Sequence, residues 1–141
     1  MPNVEEIAAI IVDCGDRLHC RLGPGLLESV YEAVLTRMME QQGLRVERQK
    51  PVPVELDGMR FDEGFRADLL VEGLVLVELK SVEKLAPVHR KQVLTYLRLL
   101  NLSVGLLMDF GASTFKDGIK RIVNNHQDFA SSRLRVNQGL D

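Results

Sequence analysis

The 141-residue chain is 45% hydrophobic and 27% charged, the composition of a globular domain built round one core. Its net charge of −2 argues against a histone-like protein that coats nucleic acid nonspecifically, although a local basic groove stays open. No apolar run is long enough to span a membrane and the acidic opening is unlike a secretory signal. Cys14, Cys20 and the histidines at 19, 89 and 126 have no zinc spacing. The expectation is a cytoplasmic protein with reduced thiols.

Val4, Ile7, Ile11, Cys14 and Leu18 recur at helical spacing and predict a helix to about Cys20, broken by Gly23-Pro24-Gly25. A second helix follows from about Leu26, with Leu27, Val30, Val34, Leu35 and Met38 as its apolar stripe and Gly43 as its stop. Leu44–Gln49 and Val52–Leu56 then read as extended runs, Asp57-Gly58 as a hairpin turn, and Met59–Phe61 as the return. Phe65–Val71 and Leu74–Lys80 form the clearest strand pair. Pro87 opens a helix carrying Val93, Tyr96, Leu97 and Leu100, and Ser103–Met108 is a buried strand. The pattern leaves the type of Phe115–Val123 open. Residues 1–125 are expected to form one domain and 126–141 a flexible polar tail. The order of elements is that of an α/β or α+β sandwich.

Chemistry concentrates in the second strand pair. Alternation puts Glu78 and Lys80 on one face, whereas the side taken by Asp68 depends on the turn. A two-residue turn at Glu72-Gly73 pairs Val71 with Leu74 and sends Asp68 to the wrong face, opposite Val77. A three-residue loop, Val71-Glu72-Gly73, with Gly73 left-handed, pairs Leu70 with Leu74. Asp68 then lies opposite Leu76 and diagonal to Glu78, with Phe65, Ala67, Leu69, Val75, Val77 and Leu79 on the other face. The apolar pattern favours this bulged register. Two such carboxylates suit Mg²⁺ or Mn²⁺, and Lys80 is positioned to activate a water or to offset charge on a phosphate. On spacing alone, a solvated strand face is the commoner origin of a D-x9-E-x-K string.

The wider sequence resembles the GxxExxY family, a branch of the PD-(D/E)XK nuclease superfamily. The naming motif reads Gly25-Leu-Leu-Glu28-Ser-Val-Tyr31 within His19-Cys-Arg-Leu-Gly23-Pro24-Gly25-Leu-Leu-Glu28. The likeness continues through Glu47-Arg48-Gln49, Asp68…Glu78-x-Lys80 and Gln92-Val-Leu-Thr-Tyr96-Leu, over about residues 4 to 124. It implies an αβββαβ restriction-endonuclease-like core, a mixed central sheet flanked by helices. It also implies a nuclease triad of Asp68, Glu78 and Lys80, with Glu28 as an acid supplied by the first core helix. Where the superfamily carries Pro before the first Asp, this chain has Ala67.

The expected activity is Mg²⁺- or Mn²⁺-dependent hydrolysis of nucleic acid, DNA foremost. Asp68, Glu78, the Leu79 carbonyl and Glu28 are the candidate metal ligands, while Gln92, Tyr96, Gln49 and Tyr31 are substrate-contacting or supporting residues. Each has a plainer alternative. A carboxylate at position 28 suits a helix start, and Tyr31 suits local packing. Gln92 and Tyr96 suit a polar helix rim, and Gln49 a strand end. His19 reads as a loop-fixing hydrogen-bonder, and Asp109-Phe110-Gly111 as a chance likeness to a kinase metal loop. The competing function is a catalytically silent nucleic-acid-binding or accessory protein. Expected partners are nucleic acid and a second copy of the chain, with no membrane.

Overall fold

The computed structural model describes residues 2–125, so the tail expected over 126–141 lies outside the described residues. The elements are α1 (Val4–Leu22), α2 (Glu28–Gln41), β1 (Val46–Leu56), β2 (Met59–Val71), β3 (Val75–Lys80), α3 (Pro87–Leu100), β4 (Val104–Asp109), α4 (Phe115–Gly118) and β5 (Ile119–Val123). The strands form one sheet in chain order. β3 and β4 are parallel with α3 as their crossover, and the other neighbours are antiparallel. The expected αβββαβ order runs from α2 to β4. The segment of open type, Phe115–Val123, resolves into a one-turn helix and the strand that pairs with β4.

α1 begins with a reciprocal cap in which the Asn3 and Glu6 side chains each accept the other's backbone N–H at 2.9 Å. Ile7, Ile11, Cys14 and Leu18 are buried, as their spacing predicts. The stripe expected on α2 holds only in part: Leu35 and Met38 are buried, but its other members are turned outward. Leu27, at 73% exposure, precedes the helix, and Val30 and Val34 are also exposed; the buried face carries Tyr31, Glu32, Leu35, Thr36, Met38 and Met39. One residue of phase is about 100° of rotation. This helix has apolar residues on two sides, and the stacking of Tyr31 on Phe110, ring centroids 4.6 Å apart, selects the inner one.

The extended runs expected as separate pieces are continuous strands. Pro51 and Pro53 do not interrupt β1, because it is an edge strand and one side of its backbone needs no ladder partner. The pairing slips between Val52 and Val54, where β2 accommodates extra residues.

α1 and α2 cover one face of the sheet, around Ile7, Ile11, Leu35, Val75, Val77, Leu106 and Met108. α3 covers the other, around Ala67, Leu76, Val93, Leu97 and Leu107. Gly105 lets α3 approach: a Cβ there would stand 2.9 Å from the Val93 side chain. Phe65 and Ala67 belong to the α3 side rather than sharing a face with Leu69 as expected. The alternation breaks at Gln49, whose φ of 49° lies between the pairs Arg48↔Leu69 and Lys50↔Ala67.

The β2–β3 register is also corrected. Glu72 and Gly73 both have positive φ, and Leu74 N–H donates to the Val71 carbonyl at 2.9 Å. The loop is therefore Glu72-Gly73-Leu74 instead of Val71-Glu72-Gly73. Its first paired residues are Val71 and Val75, followed by Leu70↔Leu76 and Leu69↔Val77. The strand parity is the one favoured by the apolar pattern, but the ladder is displaced by two. Asp68 thus falls opposite Glu78, not opposite Leu76.

Candidate active site

The β2–β3 ladder ends at Leu69↔Val77, and at the next position side chains replace it. Asp68 N–H donates to Glu78 Oε2 at 2.8 Å, and Leu79 N–H donates to Asp68 Oδ2 at 2.9 Å. Each carboxylate satisfies a backbone donor that the diverging strands leave open. The acids are consequently fixed in a fork between two strands.

Behind the fork lies a polar relay. Gln49 Nε2 donates to Asp68 Oδ1 at 3.2 Å and to Glu32 Oε1 at 2.6 Å. Arg48 Nε meets Glu32 Oε2 at 3.1 Å. The kink at Gln49 that breaks the strand alternation also carries its amide to these two acids. Glu32 is only 7% exposed and is held by charge-assisted bonds.

Burial pushes the Glu78 carboxyl up to about 8, with the neighbouring Asp68 charge as the next cause. Glu78 is 4% exposed. Burial also raises Asp68; the Leu79 N–H and the Gln49 amide oppose that rise, while the Glu32 charge adds to it. Lys80 lowers both acids through its charge. The Tyr96 hydroxyl is raised, first by burial and then by the charges of Glu78 and Asp68, which sets α3 beside the fork.

The remaining residues singled out by sequence separate into groups. Lys80, at the end of β3, has no ion-pair partner within 4 Å among the described residues. Glu28 is exposed at the start of α2, in an open cleft with Leu26, Ser81 and Gly111. Ser81 Oγ donates to the Leu26 carbonyl at 2.7 Å, so the cleft adjoins the strand end that bears Lys80. Tyr31 is fully buried. Its hydroxyl donates to the Gly23 carbonyl at 2.6 Å and accepts Leu26 N–H at 3.1 Å, clamping the Gly23-Pro24-Gly25 turn. Gln92 is exposed on α3, and Tyr96 is half-buried against Phe65.

His19 Nε2 lies 2.9 Å from the Ala112 carbonyl and fixes the loop after β4. In Asp109-Phe110-Gly111, Asp109 Oδ1 accepts N–H bonds from Val82 and Gly111, each at 2.9 Å, and braces two loops. Glu32 is the neighbour absent from the expected site, and Arg48, part of the string Glu47-Arg48-Gln49, gains a role as its partner. A partial signal was present in the spacing, because Glu32 stands three residues before Leu35, a member of the expected stripe, on the face that Tyr31 and Leu35 bury.

The donor set fits a hard divalent cation. It offers carboxylate oxygens with raised proton affinity and Lys80 as the nearby cation. No three His, Cys, Asp or Glu side chains among the described residues form a closed metal cage, which leaves coordination to two acids, backbone and water.

No curated protein and no solved structure matches the chain. The model of the PD-(D/E)XK nuclease superfamily matches residues 5–122, from α1 into β5 and including the whole carboxylate fork. By that match over most of its length, the chain belongs to the PD-(D/E)XK nuclease superfamily.

Proposed function

We propose that the protein is a metal-dependent phosphodiesterase that hydrolyses nucleic acid, DNA foremost, and that it lies in the GxxExxY branch. The observation that carries this reading is the Asp68–Glu78 fork with Lys80 two residues beyond. Asp68 and Glu78 would hold Mg²⁺ or Mn²⁺, with the Leu79 carbonyl and water as further oxygen donors; Glu28, which forms no three-acid group with them among the described residues, stands outside the ligand set. When bound, the ion would supply Lewis-acid polarisation of the phosphate and a lowered pKa for a coordinated water.

The chain's own residues do the rest. The Leu79 N–H and the Gln49 amide orient the Asp68 carboxylate. Glu32 and Arg48 fix Gln49, so both acids are set before substrate arrives. Lys80 orients the attacking water or offsets charge on a phosphate oxygen. Gln92 and Tyr96 meet the substrate from α3. An intact Asp-Glu-Lys set favours turnover over the silent binding alternative.

The GxxExxY assignment is supported by the local structure of its string: Tyr31 clamps the turn that Gly25, with φ 106°, helps to form. Among the described residues no helix is long and apolar enough to cross a membrane. Cytoplasmic placement draws on Cys14, buried, and Cys20, exposed, which lie about 9 Å apart along α1 and cannot pair with each other. A homodimer belongs to the same proposal, supported by the exposed Leu27, Val30 and Val34 of α2.

The test is incubation of the full chain with single- and double-stranded DNA and RNA, in Mg²⁺, Mn²⁺ or chelator. Metal-stimulated cleavage that Asp68→Asn abolishes is the expected result. Wild-type protein that cleaves none of the four substrates would overturn the reading.

A further inference from the structure

We infer that the groove between the β1–β2 arm and α3 binds an unstacked nucleobase, making the substrate single-stranded or locally unpaired nucleic acid. The inference deepens, and rests on, the reading of the fork as a nuclease site.

β2 pairs with β3 only over Leu69–Val71, so its earlier residues and their β1 partners extend past that pairing as a two-stranded arm. The pairs Val54↔Phe61 and Leu56↔Met59 put four apolar side chains on one face of the arm. Val54, Phe61 and Phe65 from the arm, with Thr95, Tyr96 and Leu99 from α3, enclose a groove of about 470 Å³. Phe65 and Tyr96 stack, centroids 3.9 Å apart and planes at 11°. Phe61 and Leu99 remain 51% and 50% exposed. Flat aromatic faces beside open apolar side chains suit the faces of a base, which are available only when it leaves a duplex stack.

Two observations select a nucleotide over another apolar occupant. The first is continuity, because Tyr96 lines the groove and also neighbours Asp68 and Glu78. The second is charge. α3 contains no acid, and its Arg90, Lys91 and Arg98 take part in none of the seven ion pairs among the described residues. Lys91 and Arg98 flank Thr95 at helical spacing, so free cations border the groove where a phosphate chain would run. The acid within the groove, Glu63, is already engaged by Arg66 at 2.7 and 2.9 Å.

Fluorescence anisotropy of the full chain in chelator tests this with labelled twelve-nucleotide (dT), twelve-nucleotide (U) and a twelve-base-pair DNA duplex. Wild type should bind at least one single strand about tenfold or more tighter than duplex. Phe61→Ala should weaken single-strand binding about 5- to 100-fold, the scale of one base–aromatic stack, and leave duplex binding within about twofold. Leu99→Ala, also at a half-exposed position, should act in the same direction.

Equal or tighter duplex binding, or full single-strand affinity in both variants, would overturn the inference. So would a wild-type dimer in sedimentation that Phe61→Ala dissociates, because the groove would then be a subunit contact. Loss of strand binding in Phe61→Ala alongside a wild type that cleaves nothing keeps the groove and removes the nuclease reading. Metal-dependent cleavage with a neutral Phe61→Ala does the reverse.

Discussion

Asp68 and Glu78 stand opposite each other on β2 and β3, and each carboxylate accepts a backbone N–H from the other's strand, Asp68 from Leu79 and Glu78 from Asp68 itself. This arrangement joins the two strands where their ladder has ended, while keeping two acids close together in a largely buried fork. Burial, and at Glu78 the neighbouring Asp68 charge, raise the proton affinity of both acids, whereas the N–H bonds that fix the geometry oppose that rise. Local stability is thereby lowered in favour of a preset site.

Glu78→Gln should therefore stabilise the protein, increasingly so toward alkaline pH. Below the ordinary value of 4.5, folded and unfolded chains both carry the Glu78 proton and the residue adds no pH dependence. Between 4.5 and about 8 the folded chain keeps a proton that the unfolded chain releases, so the Glu78 contribution to stability falls as pH rises. Above about 8 the full ionisation cost is present. The neutral amide retains an oxygen to accept Asp68 N–H and loses the charge. Melting of both proteins in chelator across this range should show a gap that widens with pH; a constant or inverted gap would contradict the electrostatic account.

Calorimetry should detect Mn²⁺ or Mg²⁺ binding to wild type that weakens in both Asp68→Asn and Glu78→Gln. The cation must displace the proton that Glu78 holds, so wild-type affinity should rise with pH through about 8 and binding should release protons. Equal affinity in all three proteins would move the ion elsewhere.

The residues that made this site legible in sequence are those whose chemistry is carried by strand parity. Asp68, Glu78 and Lys80 needed only an even register, and the apolar pattern of Leu69, Val75 and Val77 supplied it. The register itself was not legible, because Leu74 adds a bulge after two left-handed residues and no side-chain pattern marks it. Glu32 was missed for another reason. Leu27, Val30 and Val34 widen the apolar stripe of Leu35 and Met38 in sequence, yet the helix turns these three outward because Tyr31 stacks on Phe110, a residue 79 positions away. A polar residue on the true inner face reads as surface when the outward members of the stripe set its phase. The crossover α3 was readable from Pro87 and its period, but its closeness to the sheet depends on Gly105, a tertiary fact.

Gln49→Ala should remove the donor shared by Glu32 and Asp68 and leave two facing carboxylates without their bridge. Hydrogen bonds to charged groups contribute about 1.5–3 kcal/mol each, and Gln49 is exposed, so a net loss of about 1–2 kcal/mol is expected in urea unfolding. Cleavage should fall through misorientation of Asp68. A Gln49→Glu variant should be worse than Ala, because it adds a third negative charge.

Tyr31→Phe isolates the clamp on the Gly23-Pro24-Gly25 turn. The ring keeps its stacking on Phe110, but the Gly23 carbonyl and Leu26 N–H both lose their partner. The expected cost is about 1–3 kcal/mol, read as a lowered melting temperature with unchanged metal affinity. Unaltered stability would show that water replaces the hydroxyl at no cost. Lost metal affinity would show that the turn, and Glu28 beyond it, shapes the metal site.

Lys80→Ala separates catalysis from binding. The Lys80 charge lowers the proton affinity of both Asp68 and Glu78, so its removal should raise both and weaken cation binding at low pH through proton competition. Once both acids are ionised, the same removal deletes a repulsive charge and should leave metal affinity intact or slightly higher. Nucleic-acid affinity should fall only modestly, since one cation is a small share of the phosphate contacts and Arg90, Lys91 and Arg98 remain. Turnover should drop about a hundredfold or more, the scale of losing a positioned acid–base or charge-stabilising group. Lys80 makes no ion pair within 4 Å among the described residues, so its loss should leave the melting temperature nearly unchanged. A structural lysine would lower stability and every activity together, whereas a lysine acting at the phosphate lowers the rate alone. Wild-type rates in Lys80→Ala at saturating metal would assign the chemical step to the carboxylate fork without its lysine.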